Sequence, residues 1–283
     1  MSWRLKVVHR TGLRYASPVS VSFNEVRMTP SSGEGQLLIT HELAVTPRAR
    51  VQTYTDYWGT TVEAFDVNQA HTVLEVIATS LVDTGVPQAL VADMSWDELL
   101  APSTVDRWCE FLTFTTYVDD ASQDPERVGV VEKAKALATP TAALEFIVPT
   151  VQRHLEYSSG STTVSTTASQ AWSQAQGVCQ DFTHITLSLL RSCGIPARYV
   201  SGYLYKGDGE VGETIVGESH AWVEAWLGSW HPVDPTNGSK VSEAHIVVAR
   251  GRDYSDVSPL KGIYAGGQSE ALGVEVSLTR LPR

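Results

Sequence analysis

Three residues far apart in the sequence, Cys179, His220 and Asp234, have the types and settings for acyl transfer at sulfur. Cys179 lies in Gly177-Val178-Cys179-Gln180-Asp181-Phe182. There Phe182, Ile185, Leu189 and Leu190 begin to recur at helical spacing, and Gly194 followed by Pro196 stops the run. A helix N-terminus presents unpaired N–H groups and the positive end of the dipole, which favours thiolate over thiol. Thiols so placed can fall from about 8.5 into the range of roughly 3.5 to 7.5. The same N–H groups could stabilise the oxyanion formed when sulfur attacks a carbonyl. Cys193 falls in the last turn, where the dipole has the opposite sign, and Cys109 lies on an apolar helix face, so both read as packing residues. A lone cysteine at a helix end is more often packing than chemistry, and Cys179 therefore needs a base.

His220 and Asp234 supply one if the chain folds back between them. Residues 219–226 alternate as a strand, 230–233 form a second, and Leu227-Gly228-Ser229 reads as the turn. Parity decides whether the pair can meet. A two-residue turn with Leu227 opposite Trp230 puts His220 and Asp234 on opposite faces. A three-residue loop with Trp226 opposite Trp230 sets Asp234 opposite Trp222, and His220 becomes its diagonal neighbour on the same face. A hydrogen-bonded pair with the other imidazole nitrogen facing the sulfur within about 3 to 4 Å is the expected arrangement. Trp222, Trp226 and Trp230 would share one sheet face, as core rather than as a binding platform. His184 reads as a helix-packing residue, and His231, at an odd offset from Asp234, as a weaker base. No Cys-x-x-Cys or His-x-x-x-His spacing occurs, so neither a metal nor another cofactor is expected. Trp172 and Gln176 are near enough in sequence to be candidates for a second oxyanion donor.

The elements that must position these residues divide the chain in two. Residues 1–84 carry short alternating runs, such as Trp3, Leu5 and Val7, then Leu37-Ile39 and Leu43-Val45, separated by Pro and Gly turn signals, including Thr84-Gly85-Val86-Pro87. They predict a small antiparallel β-sandwich domain over 1–88. From 89 to 283 the pattern predicts an α+β catalytic unit. Helical segments come first, at 96–100, 104–112, 126–137 and 141–157, with Pro149 expected to break or kink the last. A polar surface loop follows at 158–163. Strands then lie at 197–205, 219–226, 230–233, 245–249 and 273–278.

Bulk properties restrict the function classes. Three widely spaced cysteines do not make a disulfide framework, and a reducing, cytoplasmic setting is expected. No run is long and apolar enough to span a bilayer, and the first residues lack a signal-peptide pattern. A net charge of −11 without a basic cluster argues against nucleic acid or anionic lipid as partner. Residues 83–132 hold eleven Asp or Glu against two Arg, a local balance of 2 − 11 = −9. A solvated helical connection is the simpler reading of this segment, and a docking surface for a basic partner the other.

Taken together, Gly177-Val178-Cys179-Gln180-Asp181-Phe182, Gly194-Ile195-Pro196-Ala197-Arg198-Tyr199-Val200-Ser201-Gly202-Tyr203, His220-Ala221-Trp222-Val223-Glu224 and Asp234-Pro235-Thr236-Asn237-Gly238 resemble the bacterial transglutaminase-like family. The family's Cys, His and Asp fall on Cys179, His220 and Asp234. His245-Ile246-Val247-Val248-Ala249 and Gly251-Arg252-Asp253-Tyr254 are similar to the family's C-terminal part, and Asn24 to Pro30 and Asp56-Tyr57-Trp58-Gly59 to the β domain that precedes such cores. The stretch from His220 to Asp234 is about two residues shorter than in relatives, an even change that keeps parity. The resemblance implies a papain-like core of helices packed on an antiparallel sheet, and thioester chemistry on an amide. Hydrolysis of a peptide or amide bond in a peptide or protein substrate is the expectation. Glutamine acyl transfer to an amine is the alternative, and a non-catalytic protein-interaction module the second alternative.

Overall fold

Alternating burial over residues 2–19 builds the longest strand, β1 (Ser2–Val19). The computed structural model describes residues 2–86, 93–217 and 219–283. After β1 come β2 (Val21–Val26), β3 (Leu37–Thr46), β4 (Val51–Thr55), β5 (Thr61–Val67) and β6 (His71–Gly85). One sheet contains β1, β6 and β3, the other β2, β5 and β4. Tyr15, Val19, Val26, Met28, Phe65, Leu74 and Val76 form the buried core of this sandwich. Lower on β1, Leu5 and Val7 belong to the core that underlies the helices, so one strand serves both halves. Leu37 and Ile39 depart from the expected pattern: they are exposed, because β3 is an edge strand whose register shifts between Leu38 and Thr40.

The connection and the helices follow, as α1 (Trp96–Leu99), α2 (Pro102–Arg107), α3 (Pro125–Lys135), α4 (Pro140–His154), α5 (Ala168–Gln174) and α6 (Cys179–Ser192). Two short parallel strands, β7 (Glu156–Tyr157) and β8 (Gln176–Gly177), flank α5. Pro149 does not break α4. It withholds one N–H from the ladder, but Ile147, Val148 and Val151 around it are buried and hold the turn in place. The remaining elements are β9 (Ala197–Leu204), β10 (Thr214–Gly217), β11 (Ser219–Trp226), β12 (Trp230–Asp234), β13 (Ser239–Lys240), β14 (His245–Gly251), α7 (Tyr254–Val257), β15 (Leu260–Ala265) and β16 (Ser269–Leu281). An antiparallel sheet in the order β13-β12-β11-β9-β14 is the platform of the site.

The strand expected at 273–278 is present but serves the other half of the molecule. As part of β16 it pairs with β1, β10 pairs along its far side, and β15 pairs with β2. Periodicity marks a strand without naming the sheet that receives it, and the N-terminal sandwich is completed by residues 260–281. The expected boundary at 88, and Pro87 of the expected turn, lie outside the described residues.

Helix α6 is buried from Gln180 to Arg191. Its Phe182, Ile185, Leu189 and Leu190 share a core with Tyr199, Tyr203, Ala221, Val223 and Ala225, each large side chain contributing about 1.5 to 3 kcal/mol of transfer free energy. Its threonines and its arginine bond main-chain carbonyls. Thr183 and Thr186 donate to the carbonyls of Cys179 and Phe182, each at 2.7 Å, and Arg191 donates to the carbonyls of Ala197 and Thr113. The acidic segment works mainly as caps and pairs. Glu98 accepts from the Ser95 N–H, Asp124 caps α3, Asp83 pairs with Arg4, and Asp119 with Arg127. Among the described residues no helix is long and apolar enough to cross a membrane.

Candidate active site

The hairpin of β11 and β12 has the odd loop that parity requires. Trp226 pairs with Trp230 and Val223 with Val233, and the Leu227 N–H donates to the Ser229 carbonyl at 2.9 Å. Gly228 takes φ +93°, a conformation open to glycine at little cost. Asp234 and His220 therefore meet: the imidazole Nε2 lies 2.8 Å from Asp234 Oδ2. The carboxylate accepts from this nitrogen, so the proton sits on Nε2 and Nδ1 carries the free lone pair.

Asp234 is fully buried. Its Oδ1 accepts the main-chain N–H groups of Thr236 and Asn237 at 3.0 and 3.2 Å, and Oδ2 also accepts Asn237 Nδ2 at 2.7 Å. Burial works against its ionisation. The hydrogen bonds from His220 and His245, the charge of His220 and the bond from Asn237 together outweigh it and hold the carboxyl far below the usual range.

Cys179 opens α6, and the turn before it is built around Asp181. That carboxylate accepts the Val178 N–H at 2.8 Å and the Thr162 hydroxyl at 2.7 Å, so the polar loop at 158–163 braces the helix start. Gly177 must lack a side chain, since a Cβ there would lie 2.6 Å from Asp181 Cβ. The half-buried thiol sits beside β11. Its Sγ is 4.0 Å from the Ser219 carbonyl, and the N–H groups of Ala221 and Gln180 act on it as donors. β12 pairs with β11 only over residues 223–226, so the sulfur takes main-chain groups that a longer β12 would have used. His220 leaves β11 on the face shared with Trp222, opposite the face on which α6 packs, while the sulfur lies at the edge between the two.

The lowering of the thiol pKa expected from the helix terminus is opposed by burial. Burial pushes Cys179 up to about 11, and the donors Ala221 and Gln180 and the more distant Lys206 oppose it without prevailing. Position at a helix end supplies a favourable field, but enclosing the sulfur costs the thiolate more. Cys193 is buried and likewise pushed up to about 11, and Cys109 is exposed.

His231 pairs with Ala225 near the turn. His184 packs between Tyr117 and Tyr199, where Nε2 accepts the Tyr254 N–H and burial lowers its pKa to about 3. Trp172 has its indole N–H bonded to Glu126 at 3.2 Å and its ring stacked on His154, which removes it as an oxyanion donor. Trp222 is separated from Trp226 and Trp230, which cluster with Trp108 and Phe111 of the connection.

Sequence reasoning passed over His245, whose Nε2 is 3.5 Å from Asp234 Oδ2. The donor atoms of His220, Asp234 and His245 lie within 4.8 Å of one another, close enough to ask whether they hold a metal ion. Their hydrogen bonds disfavour it. His245 Nδ1 accepts the Ser242 N–H at 3.2 Å, which leaves the proton on Nε2, the atom a metal would need. A metal-bound imidazole instead donates from its other nitrogen. Asn237 was equally hidden, although the run Asp234-Pro235-Thr236-Asn237 carries the pattern of an Asx turn.

This fold and site define a transglutaminase-like protein. Residues 5–83 match the bacterial transglutaminase-like N-terminal region and residues 130–235 the transglutaminase-like superfamily. The chain is 44% identical to an uncharacterized protein of Mycobacterium leprae over 99% of both chains. A second uncharacterized protein, from Mycobacterium tuberculosis, is 30% identical over 97% of this chain and 92% of its own. A candidate cysteine protease from Cytophaga hutchinsonii has the same fold, with a TM-score of 0.78 and 21% identity over 100% of this chain and 92% of that one. The chain belongs to the bacterial transglutaminase-like family.

Proposed function

We propose that the protein hydrolyses a peptide or amide bond through a thioester on Cys179, with His220 as base and Asp234 holding the base. One observation carries the reading. The thiol at the start of α6 and the buried imidazole–carboxylate pair converge on the same three residues of β11, 219–221. Nothing in packing alone requires a cysteine and a saturated His–Asp pair at one strand edge.

In this mechanism the resting thiol is neutral, and Nδ1 of His220 is the base that takes its proton. The proton passes from Sγ to Nδ1 as sulfur attacks the carbonyl carbon, and the oxyanion faces the N–H groups at the start of α6. Nδ1 then protonates the leaving amine and the C–N bond breaks, giving the thioester. Water loses a proton to the same nitrogen, attacks the thioester, and the carboxylic acid leaves as sulfur regains its proton. Asp234, saturated with donors, stays ionised and fixes the tautomer throughout.

Water is favoured over an amine as acceptor because a crosslinker needs a dry, aromatic-walled approach to the sulfur. Trp222 is wholly buried, and Trp226 and Trp230 are engaged with Trp108 near the hairpin turn. The test is incubation with a glutamine-containing protein and a labelled primary amine, followed by mass spectrometry. Hydrolysis products lost in Cys179→Ala are expected. Stable amine incorporation exceeding hydrolysis makes the protein a crosslinking transglutaminase instead, and no Cys179-dependent product of either kind returns the reading to a non-catalytic module.

A further inference from the structure

Asp234 Oδ2 has one donor more than a catalytic carboxylate needs. His220 Nε2 at 2.8 Å and Asn237 Nδ2 at 2.7 Å account for its orientation, yet His245 Nε2 stands at 3.5 Å as well. The side chain of His245 is 3% exposed, and its ring meets Trp222 edge to face at 5.3 Å while Trp222 in turn stacks beside His220 at 6.1 Å. The tautomer is fixed from outside, since the Ser242 N–H donates to Nδ1 and leaves Nε2 only as a donor toward Asp234. A buried imidazole locked in one tautomer, aimed at a carboxylate and packed on the same indole as the proposed base, is a positioning device.

What sets His245 in place comes from the other half of the chain. It opens β14, whose Val247, two residues on and on the same sheet face, is clamped by the side chain of Gln36. Gln36 Nε2 donates to the Val247 carbonyl at 2.8 Å, and the Val247 N–H donates to Gln36 Oε1 at 2.9 Å, so one side-chain amide takes the place of a neighbouring strand. The Ser31 N–H donates to the same carbonyl at 3.0 Å. Thr84, at the end of β6, bonds the Glu243 carbonyl just before β14. Residues 31–36, with 84–86, cross the sheet face carrying His245, and a cavity of about 550 Å³ remains between them.

We propose that His245 is a positioning residue of the active site, acting through Asp234 on His220, and that the N-terminal domain holds it there through the Gln36 clamp on Val247. The inference rests on the reading of Cys179, His220 and Asp234 as the catalytic set. It gives the N-terminal domain a part in assembling the site.

The experiment needs no knowledge of the substrate. Alkylation of Cys179 by iodoacetamide is followed by mass spectrometry from pH 5 to pH 9 in the wild type and in His245→Gln, His245→Leu and Gln36→Ala, with folding checked by circular dichroism. In the wild type His220 takes the thiol proton as sulfur attacks iodoacetamide, so the rate rises through a midpoint below that of an unassisted thiol. In His245→Leu the imidazole is less well placed to take the proton from sulfur, so that midpoint moves to higher pH and the plateau rate falls roughly tenfold, the scale of one lost hydrogen bond to a charged group. Gln keeps an N–H donor at a similar reach, so His245→Gln stays within about twofold of wild type with an unmoved midpoint. Gln36→Ala, which removes no buried side chain, shifts the midpoint in the same direction as His245→Leu by a smaller amount.

A wild-type midpoint in His245→Leu and Gln36→Ala, with only thermal stability reduced, assigns both residues to packing and overturns the proposal. So does a Gln variant as impaired as the Leu variant. If His245→Leu does not fold, Gln36→Ala decides alone. If Cys179 in the wild type reacts no faster than Cys109 at pH 6, the catalytic reading itself has failed, a result distinct from these.

Discussion

Replacing Asp234 by Asn separates the chemistry of the site from its packing, because the two side chains have nearly the same shape. Asp234 receives two main-chain N–H groups on Oδ1 and three side-chain donors on Oδ2. In Asp234→Asn the carboxamide oxygen can keep the main-chain pair, and its NH₂ then faces the three donors. His220 can respond by exchanging tautomers, with Nε2 accepting and the proton moving to Nδ1, which removes the lone pair needed at the sulfur. A wrong tautomer of this kind costs about four orders of magnitude in turnover. Asn237 can turn its amide, but His245 cannot, because Ser242 holds its Nδ1 as acceptor. One or two charge-assisted hydrogen bonds are then lost, for a destabilisation of about 2 to 4 kcal/mol.

The stability loss depends on pH with a definite sign. Asp234 is depressed in the folded protein, so its contribution is fully present above the unfolded carboxylate value of about 3.9 and is lost as the pH falls toward the folded value. Urea unfolding of both proteins at pH 7 and at pH 3 to 4 measures this. The gap between wild type and Asp234→Asn should be largest at pH 7 and narrow at acid pH. Cys179 alkylation near pH 7, together with any hydrolytic activity, reads the chemical effect. Wild-type alkylation and turnover in a folded Asp234→Asn protein, or a gap that does not change with pH, would refute the role assigned to the carboxylate.

Three other perturbations have clear expectations. In the wild type, Cys179 should alkylate faster than exposed Cys109 at pH 6 to 7 because His220 takes the thiol proton, and buried Cys193 should remain unlabelled until the protein unfolds; peptide mapping after timed labelling distinguishes them. Gly177→Ala should lower stability by about 1 to 3 kcal/mol and slow Cys179 alkylation, because a methyl group 2.6 Å from Asp181 Cβ displaces the carboxylate from the Val178 N–H; a thermal melt unchanged from wild type would count against this account of the helix start. Glu224→Gln should destabilise the protein by about 3 to 5 kcal/mol at neutral pH, since buried Glu224 pairs with both Arg198 and Arg250. Burial opposes the ionisation of Glu224 and the two guanidinium groups prevail, so its stabilisation too is lost as the pH falls below about 4, and chemical denaturation across that range checks the sign.

The local chemistry of the site was legible in the sequence because each piece follows from nearby residues. Helix α6 follows from the spacing of Phe182, Ile185, Leu189 and Leu190, and the meeting of His220 with Asp234 from the parity of a three-residue loop. What could not be read are the contacts that join segments far apart. His245 reaches Asp234 only because β14 lies across β9 from β11, an order that no periodicity encodes. The clamp of Gln36 on Val247 spans 211 residues, and the balance at the thiol depends on burial of the sulfur as well as on where it sits on its helix. Pro149 shows the same limit from the other side, since a strong local signal is overridden by burial of its neighbours.

The placement of β16 has a consequence for how the molecule comes into being. Its 13 residues, Ser269–Leu281, lie between β1 and β10, and β15 occupies the edge of the opposing sheet beside β2. During synthesis the first strands leave the ribosome long before the segments that complete their sheets, so β1 must wait with one side open while some 250 residues are added. Vectorial folding, in which an N-terminal domain closes before the next emerges, is denied to this chain. A strand 18 residues long with one edge open is an aggregation hazard over that interval, and the production of full-length protein should be more sensitive to chaperone supply than the size of either half suggests.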